Sequence, residues 1–206
     1  GIRLQANSGG SPTGAFGPSS VTGDITNTGT ISGSSAGIAL DSGSSVVGSI
    51  INSGEISGNN AAIDIRGGSS IGGSITNEVG GTIIGRTASS SGTGSAIYVS
   101  GSSIGGSITN SGTITGGIYL NNASTVTGGI TNNAGASISR SSAAITLSTS
   151  TVGSITNSGT ISSNGYGIWL AGVSASVGSL PSSVTGSITN SGTISGGSNG
   201  IYLSYS

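Results

Sequence analysis

One five-residue phrase, Gly-x-Ile-x-Asn, recurs seven times, and no other property of the chain limits its folding so tightly. It occupies residues 23–27, 48–52, 73–77, 106–110, 128–132, 153–157 and 186–190. Successive copies begin 25, 25, 33, 22, 25 and 33 residues apart. That is a unit of about 25 residues that accepts insertions, and a fixed period of this size marks a solenoid or an array.

The local pattern within a unit is that of a strand. From Val21 onward the alternate residues are Val21, Gly23, Ile25, Asn27, Gly29, Ile31 and Gly33, and those between are Thr22, Asp24, Thr26, Thr28, Thr30 and Ser32. A period of two over this length cannot come from a helix of period 3.6. A second apolar pair closes each unit, from Ile38 and Leu40 in the first to Ile201 and Leu203 in the last. Its distance from the preceding inward Ile varies between units, so that corner takes insertions as an exposed loop does.

Strands this short cannot bury an apolar face alone, whereas coiling the chain so that units stack buries every Ile, Val and Leu column in one interior. The expected fold is therefore all-β, a parallel β-helix of about seven coils of ~25 residues with three short strands per coil. The strands are expected near 21–27, 29–33 and 37–40 and at the equivalent places in later units. By extension of the crossover rule for parallel strands, the coil is expected to be right-handed. At the ~4.8 Å spacing of parallel strands, seven coils give a rod on the order of 35 Å long. The whole of 1–206 reads as a single solenoid domain, with a partial coil and long loop at 1–20, seven repeats over 21–203 and a tail at 204–206.

Composition matters here because 42 glycines in 206 residues would otherwise suggest a flexible coil, a reading that the apolar periodicity opposes. It also removes whole classes of function. With no Cys and no His, a zinc site, a thiol nucleophile, a Ser-His-Asp triad and a haem ligand are excluded. Four Arg, no Lys and five acidic residues make no basic face for a run of phosphates, so nucleic acid is not an expected partner. No stretch of eighteen apolar residues is present, so this segment is not expected to enter a membrane as a helix. The opening Gly1-Ile2-Arg3-Leu4 has neither a starting Met nor a signal peptide, which reads as a processed product or a piece of a longer chain.

The seven asparagines of the phrase (Asn27, Asn52, Asn77, Asn110, Asn132, Asn157 and Asn190) fall at the inward phase just before a turn. Stacked amides at that place can bond to one another and to turn backbone, a structural ladder rather than a ligand site. The corner glycines read as tight turns. A phosphate cradle would need a following helix and a Lys, and both are missing.

The phrase GSITNSGTISG, at 186–196 and nearly so at 106–116 and 153–163, resembles the repeats of bacterial autotransporter passenger domains. The resemblance runs from Val21 to Leu203. It implies a right-handed β-helix exported through an outer-membrane barrel and displayed at the bacterial cell surface. It also implies an adhesive or self-associating role, since many relatives are adhesins and others carry protease or esterase domains on the same stalk.

Function is expected on the outside of the rod. The outward position between the paired apolar residues reads, unit by unit, Arg3, Ala39, Asp64, Tyr98, Tyr119, Thr146, Trp169 and Tyr202, with Tyr166 and Tyr205 close by in sequence. Rings held outward on a rigid face can stack on sugars or anchor a protein interface; they can equally support neighbouring coils as cross-strand pairs. The outward Thr and Ser of the other strands, such as Thr26, Thr28 and Thr30, form a second face that is either solvated or, less in keeping with the Ser at 53, 111, 158 and 191, ice-binding. Polysaccharide-cleaving β-helices need clustered carboxylates, and Asp24, Asp41, Glu55, Asp64 and Glu78 occupy different coil positions; Asp64 with Arg66 is the one pair to test. No catalytic residue, metal site or cofactor is expected.

The chain enters on Gly-Ile-Arg-Leu and leaves on Gly-Ile-Tyr-Leu, in phase around the coil. Either it is a window cut from a longer passenger, or subunits stack end to end. The expected function is an extracellular structural or adhesive solenoid, a surface stalk or stacked filament. Its partners would be further copies of itself, surface glycans or a neighbouring cell surface. The alternative is a carbohydrate-binding module that uses the aromatic stripe.

Overall fold

A computed structural model describes residues 1–5, 17–86, 94–172 and 181–204. The chain winds as a parallel β-helix without helices among the described residues, and four sheets run its length, one of eight strands and three of seven.

Each coil carries four strands rather than the expected three, because the anticipated 21–27 strand is divided. In the first unit Ser20–Val21 and Ile25–Asn27 are separate strands, followed by Thr30–Gly33 and Ala36–Asp41. The break falls at the glycine of the repeated phrase, where successive coils come close together. A Cβ added to Gly73 would lie 2.9 Å from the carbonyl carbon of Gly48 in the coil below, so only glycine allows the chain to bend there.

Register is uniform along the rod. The wide sheet runs through Ile2–Gln5, Ala36–Asp41, Ala61–Arg66, Ser95–Ser100, Ile118–Asn121, Ala143–Ser148, Tyr166–Ala171 and Asn199–Ser204, every neighbouring pair parallel. Ile stacks on Ile through the third sheet, from Ile25 on Ile50 to Ile155 on Ile188. The fourth sheet repeats this from Ile31 on Ile56 to Ile161 on Ile194. In the middle coils these columns are sealed from solvent, as at Ile63, Ile108, Ile114 and Ile145. Each such side chain contributes roughly 1.5 to 3 kcal/mol, which stabilises the rod without disulfides.

Two polar columns line the interior with the apolar ones. The first is the asparagine ladder. Each Asn side-chain amide donates to the side-chain carbonyl of the Asn one coil on, at 2.8 Å for the five contacts from Asn27 to Asn157 and 2.7 Å for Asn157 to Asn190. The same amide nitrogens reach turn carbonyls, as Asn110 does to Gly112 at 3.2 Å and Ser137 at 3.0 Å. The buried amides of the ladder are thus paired, as burial requires.

The second column is serine: Ser44, Ser69, Ser102, Ser124, Ser150 and Ser182 are all buried. It lies at the corner leaving the wide sheet. Ser124 Oγ donates to the Asn121 backbone carbonyl at 2.6 Å and accepts from the Ser102 amide at 3.4 Å, while Ser182 Oγ has the carbonyls of Ala171 and Leu147 within reach of its one proton, at 2.6 and 2.9 Å. The corner also forces left-handed backbone, on Gly43, Gly67, Gly68 and Gly101 in some coils but on Ala123 (φ 59°) and Thr149 (φ 51°) in others. Residues with a Cβ are strained there.

Candidate functional site

The wide sheet turns alternate side chains inward and outward, and its pairing places Arg3, Ala39, Asp64, Tyr98, Tyr119, Thr146, Trp169 and Tyr202 in one outward column. The rings fall into two groups. In the first, Tyr98 and Tyr119 stack with centroids 5.8 Å apart and planes 13° apart. The Arg66 guanidinium lies 4.8 Å from the Tyr98 centroid, and Asn121 Nδ2 donates to the Tyr98 hydroxyl at 3.2 Å. These contacts fix the rings and at the same time leave both half-exposed.

The second group lies one rung beyond Thr146. Trp169 and Tyr202 are column neighbours, and Tyr166 joins them from the start of its own strand. Its ring stacks on Tyr202 at 4.6 Å and meets Trp169 at 5.4 Å with the planes tilted by 46°. Sequence proximity alone did not show that Tyr166 shares this face. Its phase is that of the inward Ile168 and Leu170, and it is the ring contacts with Trp169 and Tyr202 at the start of the strand that put it on this face. The indole Nε1 of Trp169 donates to Ser204 Oγ at 3.0 Å, which orients the ring. Tyr205 lies outside the described residues.

Two charged features flank the rings. Asp64 is paired with Arg66, Nε to Oδ1 at 2.5 Å; burial raises its pKa above the ordinary 3.8, opposed by the hydrogen bond and charge of Arg66. Arg140 comes from the fourth sheet. Its guanidinium is 5.8 Å from the Tyr119 centroid and donates through Nη1 to Ser95 Oγ at 2.9 Å. Burial lowers its pKa and raises that of Tyr119.

The remaining acids are spread around the coil. Asp24 accepts from the Ser49 amide, Asp41 from the Ser42 amide, and Glu55 faces Arg86 at 4.0 Å. Among the described residues no three acidic groups converge on a metal-sized site. The hydroxyl face spans two sheets. Its Thr column on the third sheet (Thr26, Thr76, Thr109, Thr131, Thr156 and Thr189, with Ile51 at one rung) is joined by outward Thr and Ser on the fourth, as at Thr30, Thr82, Thr113 and Thr160, with Glu55 at one rung.

The asparagine ladder is a set of interior hydrogen bonds, and its amides face neighbouring coils. The serine column escaped the sequence reading although it has a signal: Ser-Ser/Thr-Val/Ile precedes every copy of the phrase, as at 44–46, 102–104 and 150–152. Comparison of the chain with protein-family models, curated proteins and solved structures gives no match.

Proposed function

We propose that this chain is an extracellular structural and adhesive solenoid, a rigid stem at a bacterial cell surface that associates with further copies of itself. The observation that carries this reading is the unbroken register of the wide sheet from Ile2–Gln5 to Asn199–Ser204, reinforced on the inside by a continuous amide ladder. Such a column resists bending, since tilting one coil breaks hydrogen bonds in four sheets at once. The resemblance of the repeats to autotransporter passengers agrees with it. So does the near-absence of charge, four Arg against five acids, which leaves little repulsion between coils brought end to end.

Electron microscopy of the purified chain at several concentrations tests the self-association. Filaments with a ~4.8 Å axial repeat are expected as concentration rises. Monodisperse short rods at every concentration would refute end-to-end assembly and leave the stem as part of a longer surface protein.

A further inference from the structure

The aromatic column has one missing rung. Thr146 stands where its neighbours carry Tyr119 on one side and Trp169 on the other, and a cavity of about 70 Å³ opens above it, lined by Tyr119, Arg140, Ser142, Thr146, Tyr166 and Trp169. The floor is closed, since Thr146 is itself buried. The walls are held in place: Tyr119 is stacked on Tyr98, and Trp169 meets the ring of Tyr166, which also lines the notch, and donates to Ser204. A slot prepared in this way loses little side-chain freedom when a ligand enters.

The spacing bears on what fits. Tyr119 and Trp169 are two rungs apart, ~9.6 Å at the usual strand separation. A flat ring midway would meet each wall at ~4.8 Å, outside the ~3.5 to 4.0 Å optimum for carbon contacts. A pyranose chair is thicker, with C–H bonds projecting from both faces, and comes closer to both walls than a flat ring does. The slot also has a directional end: among the described residues Arg140 is the one charged member of the lining, and its guanidinium, already donating to Ser95, is of a kind suited to a carboxylate.

We propose that the notch over Thr146 binds a single pyranose ring of an acidic polysaccharide, its two faces against Tyr119 and Trp169 and its carboxylate toward Arg140. This site is separate from the stacking of coils. A glycan bound there lies on the side of the rod and leaves both ends clear.

Trp169 is the chain's one tryptophan, so its fluorescence reports the slot directly. Titration of the full chain with methyl glucuronide is expected to give a saturable change, and methyl glucoside a change at least several-fold weaker. Thr146→Tyr supplies the missing ring and fills the notch; it is expected to abolish the response while leaving the unfolding temperature at or above that of the wild type. Tyr119→Leu removes one wall and is expected to weaken binding at least tenfold. Phenylacetate, a flat aromatic carboxylate, is the discriminating probe. Saturation by phenylacetate without saturation by either sugar overturns the proposal, as does silence with all three probes or binding that survives Thr146→Tyr. Filament formation by Thr146→Tyr is expected to match the wild type, so loss of the sugar response and loss of assembly are read independently.

Discussion

Asn110→Ala removes a rung from the middle of the amide ladder. The Asn110 side chain accepts from Asn77 Nδ2 and donates to Asn132 Oδ1, both at 2.8 Å, and all three residues are fully buried. The two ladder bonds, at about 1 kcal/mol each, are lost together with the side chain's contacts to Gly112 and Ser137, and the Asn132 carbonyl is stripped of this donor where water cannot reach it, a further penalty of about 1 to 3 kcal/mol. The expected cost is at least about 3 to 5 kcal/mol. Asn190→Ala removes one ladder bond, of 2.7 Å, from an exposed rung. Water replaces that partner, and the cost is about 1 kcal/mol or less. Urea unfolding of both variants measures the contrast, midpoints being converted with the slope of each transition. A solenoid couples neighbouring coils, so a weak central rung is also expected to lower the slope or split the transition in Asn110→Ala alone. Equal losses in the two variants, or a loss below about 1 kcal/mol at Asn110, would refute the assignment of stability to the buried ladder.

Other positions give independent tests. Ser124→Ala removes the buried Oγ that donates to Asn121 at 2.6 Å and is expected to cost about 1 to 2 kcal/mol, whereas the partly exposed Ser45→Ala changes stability by less than about 0.5 kcal/mol; similar losses at both would argue against the serine column. Thr149→Gly relieves a β-branched residue at φ 51° and is expected to raise the unfolding free energy by about 1 kcal/mol after the added chain entropy of glycine; thermal melting that shows a loss would contradict the strain. Burial raises the Asp64 pKa above 3.8, so its contribution favours the fold below that value and is lost as pH rises through the folded value. Wild type is therefore expected to gain stability relative to Asp64→Asn on acidification from neutral pH through the carboxylate range, and melting curves showing the opposite trend would overturn the sign.

Sequence alone determined the coil. Seven copies of one phrase, a period of two and inward Ile, Val and Leu leave few ways to bury the apolar face other than stacking, and the outward column from Arg3 to Tyr202 follows once strands alternate. The asparagine ladder was legible for the same reason, because identical residues at one phase of a stacked repeat must meet. Tertiary structure decided what the linear pattern cannot carry. The glycine of the phrase splits the first strand because two backbones approach each other there, which is a property of neighbouring coils. The serine column needed the corner geometry that turns Ser44 and its equivalents inward. Tyr166, three residues before Trp169 and so of the opposite phase in the strand, is put on the aromatic face only by its ring contacts with Trp169 and Tyr202. Thr146 reads in sequence as one more outward residue; only the rings stacked on either side make it the floor of a slot, because a cavity is defined by residues far apart in the chain and one coil apart in space.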